Sequence, residues 1–596
     1  MTKSMYKQTR WRLDDLYPGP DSPELQRAFE QVEEETQAFE ALRHRLKHVL
    51  STAEFNDILR EYENLVRFLS RVLHYGFLLF SEDMKSYQAQ TCWERAQQIS
   101  AQAESRTLFF NLWWNTLDQE TNENLVEAAA DYRHWLETLR LQEPFTLSEI
   151  EEKIVNLKDA TGLKALIKLY ETITSRYVYK LEINGEVNKF TRHELKEYVR
   201  YPEPDVREAA YMEYLRAFEQ DAPILGQIYQ NRVRDWRGEN VVLRGYASPI
   251  AVRNLANDLP DNVVEVLLEV CRNNVSLFHK YFQLKARTLG VERLRRYDIY
   301  APVTRSEKTY EFKDAANLVL DSFRRFEPQF ADLADKVFKE HHLDSEVREG
   351  KRPGAFCAVV EPGLTPWISL TFEGWVEDVA GLARELGRAI HYMMAAHHTT
   401  FTQKASRMLS EVASTFCEML AVDHLLATDC DPETQWELLF RRMDNAYATI
   451  MRQAYFVMFE RTAHDCIHAG ATVNELCEIY FENLTDQFSG SIDLSGDFRY
   501  EWLGISTFYH LPFYAYAYTF GRLLVLSLYR QHQMEGDTFK SRYLPILAAG
   551  GSDSPARILK EAGIDITSAS IWQSGFDVLA KALKELEAIE SMRRQD

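Results

Sequence analysis

Residues 375–398 read WVEDVAGLARELGRAIHYMMAAHH, and this stretch decides how the chain around it is interpreted. Apolar residues recur at spacings of three and four, which predicts one long helix with a buried stripe. Arg384, Arg388 and His391 lie at i, i+4 and i+7, so they share a different face of that helix. Taken alone, the segment is typical of a solvated face with a Glu385–Arg388 pair, which contributes at most about 1 kcal/mol.

The segments on either side of this helix have their own patterns. Residues 354–372, GAFCAVVEPGLTPWISLTF, hold two β-type runs separated by Glu361-Pro362-Gly363. This pattern predicts a strand, a turn and a second strand that lead into the helix. A further helix is predicted at about residues 406–427.

The rest of the chain is mostly helical in pattern. The main exception is Tyr177–Phe190, where the period is two and Asn184-Gly185 separates the arms, which predicts a β-hairpin. The 24 glycines and 18 prolines among 596 residues are few, which argues against an all-β fold with its frequent turns. We divide the chain into an N-terminal helical lobe, residues 1–195, and a catalytic-like domain, residues 196–596.

Charge, cysteine usage and hydropathy indicate which partners and which cellular compartment to expect. The net charge of −21 argues against nucleic acid, because nucleic-acid binders present basic surfaces. The seven cysteines form no CxxC pair, which is typical of reduced thiols. No apolar run approaches the ~18 residues of a membrane-spanning helix, and no apolar signal-peptide core is visible at the N-terminus. We therefore expect a cytoplasmic protein without membrane insertion.

Two motifs carry a family resemblance. They are Leu382-Ala383-Arg384-Glu385-Leu386-Gly387-Arg388-Ala389-Ile390-His391 and Glu411-Val412-Ala413-Ser414-Thr415-Phe416-Cys417-Glu418. They resemble the zinc helix and the next ligand helix of the thimet oligopeptidase and oligoendopeptidase F family of zinc metallopeptidases. That family carries L-x-H-E-L-G-H-A-x-H in the first place and a motif like E-V-A-S-T-F-N-E in the second.

The resemblance extends over most of the chain in blocks that keep the family's order. They are Trp11–Pro18, Leu243–Pro249, Arg296–Pro302, Gly354–Cys357, Pro512–Tyr518 and Trp572–Phe576. The implied fold is mainly α: a two-lobed, helical, zincin-like oligopeptidase fold around a deep central channel. A small β-sheet is implied beside the active-site helix, and the implied activity is zinc-dependent peptide hydrolysis.

The resemblance also implies roles for individual residues. In the family, two histidines of the zinc helix bind the metal, the glutamate beside the first polarises water, and a glutamate of the next helix is the third ligand. These glutamates map to Glu385 and Glu411. The residues implied to contact peptide or the transition state are His510, Tyr514, Tyr516 and Tyr518. For the three tyrosines, packing in the core is an equal alternative.

The zinc positions depart from the family pattern. Arg384 and Arg388 stand where the family has its two zinc histidines. A guanidinium has no acceptor lone pair and stays protonated, so it cannot bind Zn²⁺. Glu411 alone cannot hold a tetrahedral zinc, so we expect no metal and no other cofactor, and Glu385 becomes a vestigial base.

Two further positions depart from the family. Thr507 replaces the first histidine of a family segment whose second histidine survives as His510, and Thr371 stands where the family usually has asparagine. Thr371 belongs to the stretch Trp367–Phe372, which the resemblance implies is the sheet edge that pairs with peptide backbone.

Charge explains what the arginines do. Loss of a doubly charged ion would leave the carboxylates of Glu385, Glu411 and Glu418 uncompensated, which destabilises a buried site. Two guanidiniums supply the same formal charge and bind carboxylates bidentately. We therefore predict that Arg384 and Arg388 pair with Glu411 and Glu418 and hold the two helices together.

Three histidines near the end of the same helix are an alternative candidate for a metal site. His391, His397 and His398 cluster there, but only His391 and His398 are at i and i+7, too far apart without a third partner. The family's histidine at the position of His391 does not bind the metal. We expect no site from these residues.

Three hypotheses follow. The first is a pseudopeptidase of the oligoendopeptidase F family that has lost zinc binding and hydrolysis and binds a peptide, an unfolded segment or a protein partner. The second is an active metalloendopeptidase that cleaves short peptides with an atypical metal site and Glu385 as base. The third is an architectural subunit of a complex. The sequence leaves the oligomeric state open.

Overall fold

Helices dominate the computed structural model, which describes residues 6–46, 50–183, 185–303, 308–428 and 431–594. In chain order, its α-helices are α1 (Pro23–Ala41), α2 (Thr52–Glu82), α3 (Tyr87–Thr116), α4 (Gln119–Ala128), α5 (Arg133–Leu141), α6 (Glu149–Thr161), α7 (Leu163–Ser175), α8 (Arg192–Tyr198), α9 (Pro204–Gln220), α10 (Ala222–Trp236), α11 (Ala251–Ala256), α12 (Asp261–Asn273), α13 (Val275–Thr288), α14 (Phe312–Phe326), α15 (Pro328–Lys339), α16 (Val376–Met394), α17 (Glu411–Thr428), α18 (Pro432–Ala446), α19 (Arg452–His468), α20 (Val473–Phe488), α21 (Ser506–His510), α22 (Tyr516–Glu535), α23 (Lys540–Ala549), α24 (Pro555–Glu561) and α25 (Ala569–Arg593). The predicted helical class is confirmed.

Shorter elements connect these helices. The strands are β1 (Tyr179–Ile183), β2 (Glu186–Phe190), β3 (Leu294–Arg295), β4 (Leu343–Asp344), β5 (Phe356–Ala358), β6 (Trp367–Ser369) and β7 (Ile492–Asp493). The π-helical segments are Arg237–Leu243 and Tyr447–Met451. The 3₁₀ segments are Leu42–Arg45, Ala130–Tyr132, Glu143–Phe145, Arg296–Asp298, Gly496–Gly504 and Gly536–Phe539.

The chain forms two compact units, each assembled from three stretches. The first unit comprises Met1–Glu143, Glu307–Cys430 and Gln531–Asp565, and the second comprises Pro144–Ser306, Asp431–Arg530 and Ile566–Asp596. The boundary predicted between residues 195 and 196 does not coincide with a boundary of these units. The contiguous division into a lobe and a catalytic-like domain therefore stays a prediction.

The first unit holds a three-stranded sheet of order β4-β6-β5. Strands β5 and β6 pair antiparallel across the turn at Glu361-Pro362-Gly363, as predicted, and Gly363 adopts a φ of +91° there. Strand β4 pairs parallel to β6 on the other side, and the sequence pattern did not predict this strand. The expectation that Trp367–Phe372 forms a sheet edge is wrong for β6, because that strand lies in the middle of the sheet.

Helix α16 begins where an acidic side chain caps it. The Asp378 carboxylate accepts hydrogen bonds from the backbone N–H groups of Glu373 and Trp375, at 2.9 and 3.0 Å. The helix ends at Met394, a few residues before the predicted end at 398. Helix α17 begins at Glu411 instead of about residue 406, because Arg407–Ser410 form turns.

Close packing joins α16 to α17. A Cβ atom added to Gly387 would lie 2.6 Å from Cys417 Cβ and 2.8 Å from the backbone oxygen of Ala413. Only glycine therefore lets the two helices approach this closely. The approach brings the face that carries Arg388 next to the first turn of α17.

The second unit contains the predicted hairpin. Strands β1 and β2 pair antiparallel from Tyr179↔Phe190 to Ile183↔Glu186. Gly185 has a φ of +82°, which favours glycine in the tight turn, and Asn184 lies outside the described residues. Strands β3 and β7 form a separate parallel pair in the same unit. Among the described residues, no helix combines the length and apolar character that crossing a membrane requires.

Candidate functional site

Glu385 lies at the centre of the site in the first unit. Its side chain is 1% exposed, and it sits on the face of α16 that also carries two arginines. Arg388 Nη1 lies 3.4 Å from Glu385 Oε2, and Arg384 Nε lies 3.6 Å from Glu385 Oε1. The buried carboxylate therefore has a guanidinium near each oxygen.

Arg388 connects the two helices. Its Nη2 donates to Glu411 Oε1 at 2.7 Å, while Ser414 Oγ donates to Glu411 Oε2 at 3.0 Å. The Arg388 side chain is 18% exposed and that of Glu411 is 35% exposed, so the arginine is shielded from water more than its partner is. The Arg388–Glu411 pair is the one predicted from the sequence.

The predicted partner of Arg384 is different. The guanidinium is 47% exposed and approaches Glu385, its neighbour in the chain. Glu418 contributes a repulsive charge at Glu385, so it lies close to the same group, but its pairing with Arg384 stays a prediction. Arg384 is thus the solvent-side arginine of the site and Arg388 the buried one.

The electrostatics of the site follow from burial. Burial raises the pKa of the Glu385 carboxyl, while the positive charges of Arg388 and Arg384 act against that rise. Burial alone would lower the pKa of Arg388, but the carboxylates of Glu385 and Glu411 raise it above its ordinary value. The arginine therefore stays charged, and it favours the ionised form of Glu385.

Two residues of this site were not predicted. Cys357 on β5 has a pKa raised by burial and by the Glu385 carboxylate. The pKa of Tyr392 on α16 is raised to about 12 by burial and by the neighbouring Cys357. Tyr392 lies one turn after Arg388, so its helical spacing was the available signal. For Cys357, the available signal was its position in the first strand of the pair that leads into the helix.

The donor set does not fit a zinc ion. The two arginines offer N–H donors where imidazole lone pairs would be needed, and one of them already occupies the Glu411 oxygen. Two guanidiniums and the carboxylates instead form a charge-paired network. The arrangement can tie α16 to α17.

His391 is a core residue. It is 2% exposed, and its Nε2 has no hydrogen-bond partner among the described residues. Burial and the charge of Arg388 lower its pKa to about 4, so it is neutral at pH 7. His398 is bound elsewhere, by the Asp131 carboxylate at 2.7 Å and the Ala548 backbone oxygen at 3.0 Å.

One group of side chains in the described residues brings three ligand types within reach of a cation. It consists of His134, Glu137 and Asp553 and shares no residue with the site around Glu385. Both of its carboxylates already form ion pairs with Arg557. The bound guanidinium supplies the positive charge that a cation would otherwise bring.

His510 and Thr507 lie on the short helix α21 of the second unit. His510 Nε2 lies 2.8 Å from Glu171 Oε1, and its Nδ1 lies 2.8 Å from the Ser506 backbone oxygen. Thr507 is half-buried, and its backbone oxygen accepts from Leu511 N–H. In the first unit, Thr371 is exposed just after β6.

The three alternating tyrosines do not share one surface. Tyr516 is fully buried and its hydroxyl accepts a hydrogen bond from Asn257 Nδ2 at 2.8 Å, whereas Tyr518 is 47% exposed. The rings of Tyr514 and Tyr518 meet edge to face at 5.4 Å. For Tyr516 the structure matches the core-packing alternative, because α22 begins there and residues two apart on a helix point in different directions.

Comparisons with known proteins agree with this architecture. Residues 198–578 match the profile of Peptidase family M3, and residues 113–179 match that of Oligopeptidase F. The chain is 23% identical over 568 residues to Group B oligopeptidase PepB of Streptococcus agalactiae serotype III (strain NEM316), covering 94% of each chain. A solved chain from Chlamydophila abortus superposes with a TM-score of 0.86 at 22% identity, covering 97% of this chain and 98% of that one. Oligoendopeptidase-F from Enterococcus faecium superposes with a TM-score of 0.72 at 19% identity, covering 96% and 99%.

Proposed function

Because the chain belongs to peptidase family M3, we propose that it is a pseudopeptidase of the oligoendopeptidase F type, which binds peptide segments without zinc-dependent hydrolysis. Full-length relatives such as PepB are named oligopeptidases, which supports a peptide as the ligand. The cytoplasmic location and the lack of a nucleic-acid partner stay predictions from composition.

The observation that carries this proposal is the 2.7 Å pair between Arg388 and Glu411. Arg388 stands at the position of the second zinc histidine, and Glu411 stands at the position of the third ligand. A guanidinium bound to that carboxylate supplies positive charge where the family has its ion. The buried carboxylates are therefore neutralised without a metal.

Strand β5 supports peptide binding beside this network. It is an edge strand, since β6 pairs with it on one side only in the sheet order β4-β6-β5. An extended peptide adds to such an edge through backbone hydrogen bonds. Cys357 of β5 is an electrostatic neighbour of Glu385 and Arg388, so a peptide on this edge would lie near the arginines.

Metal content and hydrolysis test the proposal directly. We expect elemental analysis of the purified protein to find far less than one zinc per chain. We also expect quenched fluorescent peptides to stay intact, with or without added zinc. Stoichiometric zinc together with cleavage that Glu385→Gln abolishes would establish the active metalloendopeptidase instead.

Peptide binding is measured separately. Fluorescence anisotropy with labelled, mixed-sequence peptides of about ten residues should show saturable binding to the intact protein. Tyr518→Ala tests the exposed tyrosine, with the exposed helical residue Glu123→Gln as the control. A folded, zinc-free protein that binds none of these peptides would favour the architectural subunit.

A further inference from the structure

A buried charge cluster in the second unit is separate from the residues considered so far. Arg296 Nη2 and Arg452 Nη2 both bind one oxygen of Glu501, Oε1, at 2.6 and 2.9 Å. Tyr480 donates to the other oxygen, Oε2, at 2.9 Å. The two guanidiniums are therefore neighbours that share one carboxylate.

The formal charges in this contact do not balance. The Arg296 side chain is 1% exposed and that of Glu501 is 5% exposed, so bulk water does not solvate either charge. Among the described residues, Glu501 is the one carboxylate that binds both arginines, which leaves one excess positive charge in this contact. Burial of an uncompensated ion is costly, so a compensating negative charge is expected nearby.

The unpaired hydrogen-bonding groups also indicate that an acceptor is missing from this cluster. Four buried nitrogen donors in and around the cluster have no partner among the described residues: Arg296 Nε and Nη1, Arg452 Nε and Gln487 Nε2. The Tyr300 hydroxyl, which can donate or accept, has none either. Both oxygens of Glu501 already accept hydrogen bonds, so the shortage is one of acceptors.

Neighbouring contacts place these groups around the arginines. Tyr300 is an electrostatic neighbour of Arg452, and Tyr447, whose hydroxyl lies 3.5 Å from Gln487 Oε1, is a neighbour of both arginines. The Phe488 ring lies 5.9 Å from Arg296 Cζ. The Phe498 ring lies 5.2 Å from the same atom. These rings give the guanidinium an apolar surround, and their faces supply only weak acceptors.

The geometry points to a binding site for a compact monovalent anion between Arg296 and Arg452. An anion accepts hydrogen bonds without bringing new donors, which a water molecule cannot do. It also supplies the missing negative charge. Two chemistries have this character, a halide such as chloride and a small carboxylate. The Arg452 side chain is 27% exposed, so the cluster is reachable from solvent on that side.

Thermal unfolding of the full chain tests this site. Sodium chloride, bromide and acetate are titrated against sodium gluconate at constant ionic strength. We expect a saturable rise in Tm on the order of 1–3 °C with a bound anion and none with bulky gluconate. Halides acting without acetate would assign a halide site, and acetate acting as well would extend it to carboxylates. Identical curves in all four salts would overturn the proposal.

A variant and a crystal locate the effect. Arg296→Lys should lose most of the anion-dependent rise in Tm, because the lysine side chain lacks the Nε and Nη1 donors. Arg324→Gln, at an exposed arginine paired with Asp321, should retain it. Since Arg296→Lys can also impair folding, bromide-soaked crystals of the unmodified protein give a second readout. An anomalous peak between Arg296 and Arg452 is expected, and its absence at saturating bromide would refute the site.

Discussion

Arg388 Nη2 on α16 lies 2.7 Å from Glu411 Oε1 on α17, and this contact joins the two helices that carry the family-like motifs. The same guanidinium also approaches the buried Glu385 from its Nη1 atom. One cation thus serves two carboxylates on two helices. In the proposed pseudopeptidase, this pairing stabilises the two packed helices without a metal.

A double-mutant cycle measures this contact. We expect Arg388→Gln and Glu411→Gln to couple by about 1–2 kcal/mol in urea unfolding, because the arginine is largely buried. The exposed pair Arg60–Asp57 has the same 2.7 Å separation and serves as the control. It should couple by no more than about 0.5 kcal/mol. Equal coupling in the two pairs would contradict a structural role for Arg388.

Two glycines of α16 should respond to alanine in opposite directions. Gly387→Ala places its Cβ against Cys417 and Ala413 and should destabilise the protein by about 1–3 kcal/mol. Gly381→Ala meets no atom within 4 Å and should stabilise it by about 0.5–1 kcal/mol, since alanine is the better helix former. Denaturant unfolding decides the matter, and a tolerated Gly387→Ala would show that α16 and α17 are less closely packed.

The local elements of the fold, its helices and hairpins, could be predicted from the sequence. The helix at 376–394, the strand pair before it and the hairpin at 179–190 follow from periodicity and turn residues. Strand β4 was missed because it is a two-residue parallel pairing with a strand distant in the chain. Such pairing leaves no periodic signal in so short a segment.

The site was predictable where the family resemblance and charge act together. The resemblance placed Arg384 and Arg388 opposite Glu411 and Glu418, charge favoured their pairing, and the structure shows one such pair, Arg388–Glu411. For Tyr516 the sequence left peptide contact and core packing equally open, because alternation of tyrosines says nothing about where a helix begins. The Arg296–Glu501 contact joins residues 205 positions apart, so no local sequence pattern predicts it.

Glu460 should make stability depend on pH. This carboxyl is fully buried, accepts from Phe513 N–H at 2.9 Å, and burial raises its pKa to about 8. Because the unfolded chain releases this proton near pH 4.5 and the folded protein keeps it, the resulting loss of stability grows as pH rises from about 4.5 to 8. Phe513 has a φ of +60° just before Tyr514, so the same hydrogen bond holds a strained turn.

Glu460→Gln tests this dependence because the amide oxygen can still accept from Phe513. Relative to the unmodified protein, the variant should gain about 3 kcal/mol of unfolding free energy between pH 5 and pH 8. The facing groups Arg232, Arg253 and His464 are the same in both proteins. The exposed control Glu123→Gln should show no such gain. A variant that loses stability at pH 8 would mean that Glu460 is ionised and paired.

Tyr516 and Tyr518 should separate folding from peptide binding. Tyr516→Phe removes the hydroxyl that accepts from Asn257 and should lower the unfolding free energy by about 1 kcal/mol without changing peptide affinity. Tyr518→Ala removes a half-exposed ring and should weaken peptide binding about fivefold or more with little loss of stability. Anisotropy and urea unfolding on both variants check this. Unchanged affinity in Tyr518→Ala would remove that tyrosine from the binding surface.

Histidines at the two arginine positions should make the stability of the protein depend on bound zinc instead of on ion pairs. The double variant Arg384→His/Arg388→His loses both cations, so we expect a lower Tm without zinc. Two imidazoles at i and i+4 together with Glu411 form a three-ligand set, so added zinc should restore stability, by about 2.7 kcal/mol at 100 times its Kd. Arg388→His alone keeps Arg384 and should take up no zinc. Zinc content and Tm, each with and without chelator, give the result. A double variant as stable as the unmodified protein without metal would show that the arginines do not replace the ion's charge.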